Sequence, residues 1–256
     1  MWLGMARSSQ GWALAFLGRT EEAEQAVQAS VDVAADIRGL VLGYAYWGRV
    51  VAALAAGDAE QAARIARLAA PLMDLQPEAA MTIWFLPAET ALACGDVEEA
   101  RRWADEAVAR TSDRPAYAAW ALSTRTRVAM AEDRLVLAED CAHRALGQSI
   151  AGDCYLRVPD ILECLASLAG AVGSHAEGAR LCGAAEATRQ RLGIVRFNVH
   201  QAAHESTMCQ LREVLGERAF DATWAEGAAL STSEAIAYAH RGRGERKRPS
   251  SGWAAL

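Results

Sequence analysis

His200-Gln201-Ala202-Ala203-His204 sets two imidazoles four residues apart on one helix face, where they could chelate a metal ion, and Cys209 follows as a candidate third ligand. Gln201 stands where an HExxH site carries the glutamate that activates water, so this pair lacks the general base of zinc-protease chemistry. The bland reading is a fortuitous surface pair, and no metal is expected. Cys141 and His143 lie two apart, so a helix turns them to different faces rather than into a nucleophile–base pair. Gly242-Arg243-Gly244 has no strand before it and is not a dinucleotide loop, and no GxSxG occurs. The sole lysine, Lys247, lies in the tail, which rules out GxxxxGK[ST] in this chain. Acidic pairs such as Glu21-Glu22 and Glu98-Glu99 fall in first helical turns, where the helix dipole explains them. No catalytic residue, cofactor or enzymatic activity is expected.

Those residues sit in a chain of 256 that is 52% hydrophobic, with 58 Ala and 25 Leu, almost a third of the total in two strong helix formers. That composition excludes an all-β domain, a collagen-like chain and a disordered one. Six cysteines without a CxxC pair fit small buried hydrophobes in a reducing, cytoplasmic setting rather than a disulfide framework. The N-terminus lacks the basic and apolar regions of a secretory signal. The most apolar stretch, 39–57, carries Arg49 and glycine interruptions and reads as a packed helix rather than a membrane span. The net charge of −6 divides into −10 over residues 1–239 and +4 from His240 onward. An acidic body is poorly suited to binding nucleic acid by itself.

The elements that position these residues follow an internal period. Ala15-Phe16-Leu17-Gly18-Arg19-Thr20-Glu21-Glu22-Ala23 is echoed by Ala55-Ala56-Gly57-Asp58-Ala59-Glu60-Gln61-Ala62 and by Ala93-Cys94-Gly95-Asp96-Val97-Glu98-Glu99-Ala100. Weaker matches place Asp133 with Ala138, then Gly173 with Gly178, at steps of 38–40 residues. Each unit reads as two helices: the first stops at the glycine and the second is capped by an Asp such as Asp58 or Asp96. Small residues recur five and twelve positions after each reference position, the later set being Ser30, Ala69, Ala107, Ala145 and Ala185, where helices must pack closely. Pro71, Pro77, Pro115 and Pro159 are expected between units or at helix starts, and Pro87 inside a helix that it should kink. Trp47, Trp84 and Trp120 are expected chiefly to fill the core.

The expected architecture is therefore an all-α, antiparallel helix-pair solenoid of about five repeats over residues 1–192. Capping helices follow over 193–239 and a flexible basic linker over 240–256. Stacked helix pairs leave a concave face lined by the first helices. Counting back thirteen, ten and six residues from the reference positions puts Tyr44, Trp47, Thr82, Phe85, Glu89, Trp120, Ser123, Arg127, Asp160 and Glu163 on that face. An aromatic groove with a few polar groups suits a peptide or partner helix. The alternative is that the aromatics are buried and nothing binds there.

The glycine-then-alanine spacing resembles tetratricopeptide repeats, with a period longer than 34 residues. The LxGAAE string around Leu181–Glu186 and the run Leu215-Gly216-Glu217 … Phe220 … Trp224-Ala225-Glu226-Gly227 … Glu234-Ala235 … Tyr238-Ala239 resemble the end of the helical repeat region in large ATP-binding LuxR-type transcriptional regulators. With the repeats upstream, the resemblance extends over nearly the whole chain. It implies a noncatalytic module that binds a protein or peptide partner, or a small effector, and couples that event to an ATPase and a helix-turn-helix lying elsewhere. Neither is found here, so the chain reads as a piece of a longer regulator or a short paralogue, with no DNA binding of its own and no membrane association. The competing expectations are a structural spacer or dimerisation scaffold without a ligand, and a metal-binding helical protein around His200 and His204.

Overall fold

The computed structural model describes residues 2–34, 40–73 and 83–245, and among them every regular element is a helix. In chain order these are α1 (Trp2–Phe16), α2 (Thr20–Ala34), α3 (Leu40–Ala56), α4 (Ala59–Met73), α5 (Leu86–Ala93), α6 (Val97–Thr111), α7 (Pro115–Ala131), α8 (Leu135–Ala151), α9 (Val158–Ala171) and α10 (His175–Leu192). A 3-10 turn (Asn198–His200) then precedes α11 (Gln201–Leu215), α12 (Glu217–Ala228) and α13 (Thr232–Glu245). Consecutive helices pack as antiparallel pairs, α1 on α2 through α9 on α10, an all-α helical repeat fold. No helix of the described residues is long and apolar enough to cross a membrane.

The period appears directly in the backbone. Gly18, Gly57, Gly95, Asp133 and Gly173 all have positive φ, between 57° and 89°. This left-handed conformation ends the first helix of a pair and turns the chain into the second. Asp58 and Asp96 then accept bonds from the Gln61 and Glu99 amides at 2.8 and 3.0 Å, capping α4 and α6. Ala23, Ala62, Ala100 and Ala138, five residues past each turn, are fully buried, as are Ser30, Ala69, Ala107, Ala145 and Ala185. Gly178 takes the same place in α10, where a Cβ would stand 2.9 Å from the Ala166 carbonyl oxygen.

The prolines depart from expectation at two positions. Pro87 lies in the first turn of α5, where its missing N–H breaks no helical bond, so it starts that helix instead of kinking it. Pro71 lies inside the last turns of α4, which runs on to Met73. Pro77 lies outside the described residues, as does 246–256 of the expected linker, whereas α13 continues to Glu245.

One core fills the space among α1–α7 around fully buried Trp47, and a second, built on Leu146, Ile161, Leu162, Leu165, Leu181, Leu211 and Phe220, runs from α7 to α13. Trp84 is buried with Trp47, and Trp120 packs partly buried against the first core. The C-terminal helices dock by close backbone approach. A Cβ on Gly183 would lie 2.0 Å from the Trp224 carbonyl oxygen, and one on Gly227 1.8 Å from that of Arg180, so α10 and α12 cross where only glycine fits. Arg180 pairs there with Glu226 and donates to the Tyr238 hydroxyl at 2.8 Å. Ser231 and Glu234 form a capping box at the start of α13: the Ser231 amide donates to the Glu234 carboxylate at 2.8 Å, and the Glu234 amide to the Ser231 hydroxyl at 3.3 Å.

Between α10 and α11 the chain does not form a capping helix at once. Gly193, at φ 66°, ends α10 and releases a strap, 194–197, that passes over the end of α1. The Val195 amide donates to the Phe16 carbonyl at 2.8 Å, and Asn198 reaches the Ala56 carbonyl, 142 positions away, at 3.3 Å. The strap therefore rests on the turns that close the first two helix pairs. Gly18 lies against Val195 and Gly57 against Asn198, each close enough that a Cβ would crowd the contact at 3.1 Å.

Candidate functional site

The face expected from the repeat register divides into two parts. On one side Trp12, Phe16, Phe85 and Trp120 meet Phe197 of the strap. Phe16 stands edge-on to Trp120 at 5.8 Å, Phe85 lies 4.9 Å from Trp120, and Phe197 lies 4.9 Å from Phe16. This part is packed, with a residual void of about 10 Å³. Trp47 and Ser123 are fully buried, with the indole N–H and the hydroxyl making no hydrogen bond. Tyr44 is half-buried, and its backbone carbonyl accepts from the Ser8 hydroxyl at 2.9 Å. Thr82 lies outside the described residues.

On the other side Glu89, Arg127, Asp160 and Glu163 come together from α5, α7 and α9. Three arginines outside the expected set complete them: Arg157 just before α9, Arg189 from α10 and Arg196 from the strap. Glu89 is nearly buried. It accepts from Arg157 at 2.5 Å and from the Thr124 hydroxyl at 2.7 Å, with Arg127 at 3.4 Å. Asp160 pairs with Arg157 and Arg189, each at 3.2 Å, and with Arg127 at 3.5 Å. Glu163 pairs with Arg189 at 2.7 Å and Arg196 at 2.5 Å. Arg157 also joins the two parts, its guanidinium 5.1 Å from the Trp120 ring centre.

Burial alone would push the Glu89 carboxyl up, but the Arg157 and Arg127 guanidiniums oppose it and hold the group at about 2. Burial likewise opposes ionisation of Asp160 and Glu163, and their arginine partners keep both below the usual carboxylate range. The cluster is thus a set of ionised, charge-assisted pairs away from solvent.

His200 and His204 cover this cluster, and the expectation of a surface pair is corrected. Their side chains are 18% and 16% exposed. The His200 Nε2 lies 3.5 Å from Glu89 and the His204 Nδ1 3.8 Å from Glu163. Burial, reinforced by Arg127, lowers His200 to about 4, and burial lowers His204 as well, so both rings are neutral at pH 7. They belong to different elements, the 3-10 turn and α11, and Cys209 of α11 is exposed. Among the described residues no group of three His, Cys, Asp or Glu is arranged to hold a metal ion.

Between the ionic cluster and α11 lies a cavity of about 300 Å³. Glu89, Arg127, Asp160, Glu163, His200 and His204 form its polar wall, and Leu92, Met130, Cys164, Cys182, Val199 and Ala203 its apolar wall. Burial pushes the Cys164 thiol up to about 11 and the Cys182 thiol up to about 12, so neither is a thiolate at neutral pH. An apolar chamber with a few convergent polar groups is the usual form of a small-molecule site.

Over 252 residues, 97% of its length, the chain is 44% identical to a protein of Mycobacterium bovis and to proteins of two Mycobacterium tuberculosis strains, each named "Putative HTH-type transcriptional regulator". It spans 28% of the length of these relatives. No family model matches the chain, and no solved structure matches it.

Proposed function

We propose that this chain is the noncatalytic effector-sensing module of a transcriptional regulator. In this reading it is a tetratricopeptide-like repeat array of the kind found in large ATP-binding LuxR-type regulators. It responds to a small molecule and passes that response to nucleotide-binding and DNA-binding parts outside the sequence. The observation that carries the proposal is the 300 Å³ cavity beneath α11, beside a strap that ties the C-terminal segment to the first two helix pairs. Occupancy there bears on α5, α7, α9 and α11 together, which gives a ligand mechanical purchase on the whole array. The relatives, named as HTH-type regulators, supply the context of transcription.

A small effector suits the site better than a peptide does. A peptide in the aromatic half would have to displace Phe197 from its contact with Phe16. The noncatalytic part of the proposal rests on the protonated thiols and on carboxylates locked to arginines, which leave neither an activated nucleophile nor a carboxyl poised near neutrality.

The test is native mass spectrometry of the purified chain, paired with Ala93→Phe, since Ala93 at the end of α5 also lines the cavity and a phenyl ring there would fill it. A small molecule bound at one equivalent and lost in Ala93→Phe is the expected result. Absence of any bound molecule, with unchanged reporter expression when Ala93→Phe is placed in the complete regulator, would overturn the proposal.

A further inference from the structure

The effector-sensing reading leaves the chemistry of the ligand open, and the charges and hydrogen bonds around the cavity narrow it. Every charge at the ionic wall already has a counter-charge. Glu89 holds Arg157 at 2.5 Å, and Glu163 holds Arg189 at 2.7 Å and Arg196 at 2.5 Å. Arg127 stands between Glu89 and Asp160, at 3.4 and 3.5 Å, and Glu186 lies 3.8 Å from Arg196. These four guanidiniums face four carboxylates, so the cluster as a whole is neutral. A charged ligand would enter with no counter-charge waiting and would have to draw one out of an existing pair, a costly exchange away from solvent.

Hydrogen bonding, in contrast, is left incomplete. The His200 Nε2 lies 3.5 Å from Glu89 and the His204 Nδ1 3.8 Å from Glu163, both beyond hydrogen-bond length, and among the described residues neither ring makes a hydrogen bond elsewhere. Each neutral imidazole offers one N–H and one bare nitrogen. The Ser167 hydroxyl, half-buried on the same cavity, likewise makes no hydrogen bond and can give or take one. Burial, with Arg127 adding to it, holds His200 at about 4 although a carboxylate stands beside the ring, so this wall resists a positive charge of its own. A hydroxyl donates and accepts at once without bringing charge, which is what such a wall can satisfy. Leu92, Met130 and Val199 on the rest of the lining call for an apolar body.

We infer that the cavity takes an uncharged molecule with a compact apolar body and a hydroxyl head, the head bonded at the His200 and His204 imidazoles and the body against Leu92, Met130 and Val199. The inference rests on the effector-sensing reading of the same cavity.

Titration of the full chain with 1-hexanol, hexanoate and hexylamine, read by calorimetry and thermal shift, separates charge from shape because all three share a six-carbon body. Hexanol should bind and raise Tm, and both charged analogues should bind about tenfold more weakly or not at all. Hexanol binding should fall about tenfold in the double variant His200→Phe, His204→Phe, which keeps two rings but no hydrogen-bonding nitrogen, and in Ala93→Phe. The double variant His200→Gln, His204→Gln, which keeps a neutral donor and acceptor at each position, should stay close to wild type. The ring nitrogen resonances of the wild-type chain need no variant to fold: hexanol should shift those of His200 or His204 and of no other histidine. Hexanoate or hexylamine binding as tightly as hexanol, hexanol binding unchanged in the phenylalanine variants, unmoved ring resonances, or no binding of hexanol would each overturn the inference. The effector-sensing reading survives any of these if mass spectrometry finds a different molecule that Ala93→Phe expels, and fails with the inference if it finds none.

Discussion

The aromatic and ionic halves of this face share α7 and the strap, yet one is solid and the other hollow. Around Trp120 and Phe16 the rings meet at 4.9–5.8 Å, tilted or edge-on, and leave about 10 Å³. Around Glu89 and Asp160 the polar groups meet at 2.5–3.5 Å and leave about 300 Å³. Rings slide and tilt until gaps close, because dispersion is weakly directional. A guanidinium–carboxylate pair is planar and fixed in length, so four arginines locked to three acids form a frame that cannot collapse to fill space. Hollowness here follows from using ion pairs as the wall, and a space with polar walls is one that water or a ligand can occupy.

The largest effect expected from this difference is at Glu89. Glu89→Gln keeps the shape but leaves Arg157, 3% exposed, and Arg127 short of a counter-charge, at a cost of about 3–5 kcal/mol. Phe85→Leu, four residues away but in the aromatic half, should cost only about 1–2 kcal/mol, because apolar neighbours readjust. Urea unfolding of both variants checks the pair, and a larger loss for Phe85→Leu than for Glu89→Gln would abolish the distinction. Next in size is Trp120→Ala, which removes the ring shared by Trp12, Phe16 and Phe85 and should cost about 3 kcal/mol by the same measurement.

Acid should separate the halves again, with an effect of up to about 3 kcal/mol. His200 has a folded pKa of about 4 against an ordinary 6.5, so between those values the unfolded chain binds the extra proton and stability falls as pH is lowered. Glu89, at about 2 against 4.5, contributes stability that is complete above pH 4.5 and is lost as pH drops toward 2. Both slopes run the same way, so unfolding midpoints should decline from pH 7 to pH 4 and more steeply below. His200→Gln should flatten the upper part of that decline, while Trp120→Phe, which titrates nothing, should leave its shape intact. A profile unchanged by His200→Gln would mean that the imidazole does not carry the upper slope.

The repeat was legible in the sequence because each turn needs a backbone that few residues tolerate, and each crossing needs a small side chain. Those demands write glycine and alanine at fixed spacing even where packing residues vary. Asp133, a weak match, still marks a turn at φ 57° because Asp tolerates the left-handed region better than most residues. Counting back from the turns brought Glu89, Arg127, Asp160 and Glu163 onto one wall. It missed Arg157, Arg189 and Arg196, which reach that wall from a loop, a second helix and the strap. The strap has no period, and its partners Phe16 and Ala56 are far away in sequence, so no local pattern reveals it. His200 and His204 looked exposed because polar residues usually are, and their burial depends on contact with Glu89 and Glu163, set by tertiary packing. Pro87 signals a helix boundary in its own right, since its ring fits a first turn and disrupts an interior one.

The smallest effects lie at the turns and tell whether the strap is held by the array or merely rests on it. A Cβ at Gly95, φ 79°, would meet nothing within 4 Å, so Gly95→Ala should cost only the left-handed conformation, about 1 kcal/mol. Gly18, φ 77°, demands the same conformation, but a Cβ there crowds both methyls of Val195 at 3.1 and 3.2 Å. Gly18→Ala should therefore cost more than Gly95→Ala, and the excess measures how firmly Val195 is seated. Hydrogen exchange at the Val195 amide, bonded to the Phe16 carbonyl, reads the same contact independently. Equal losses at the two glycines, with no faster exchange at Val195 in Gly18→Ala, would mean that the strap yields at no cost. The solid aromatic half, which depends on Phe197 of that strap, would then owe its packing to the rings alone.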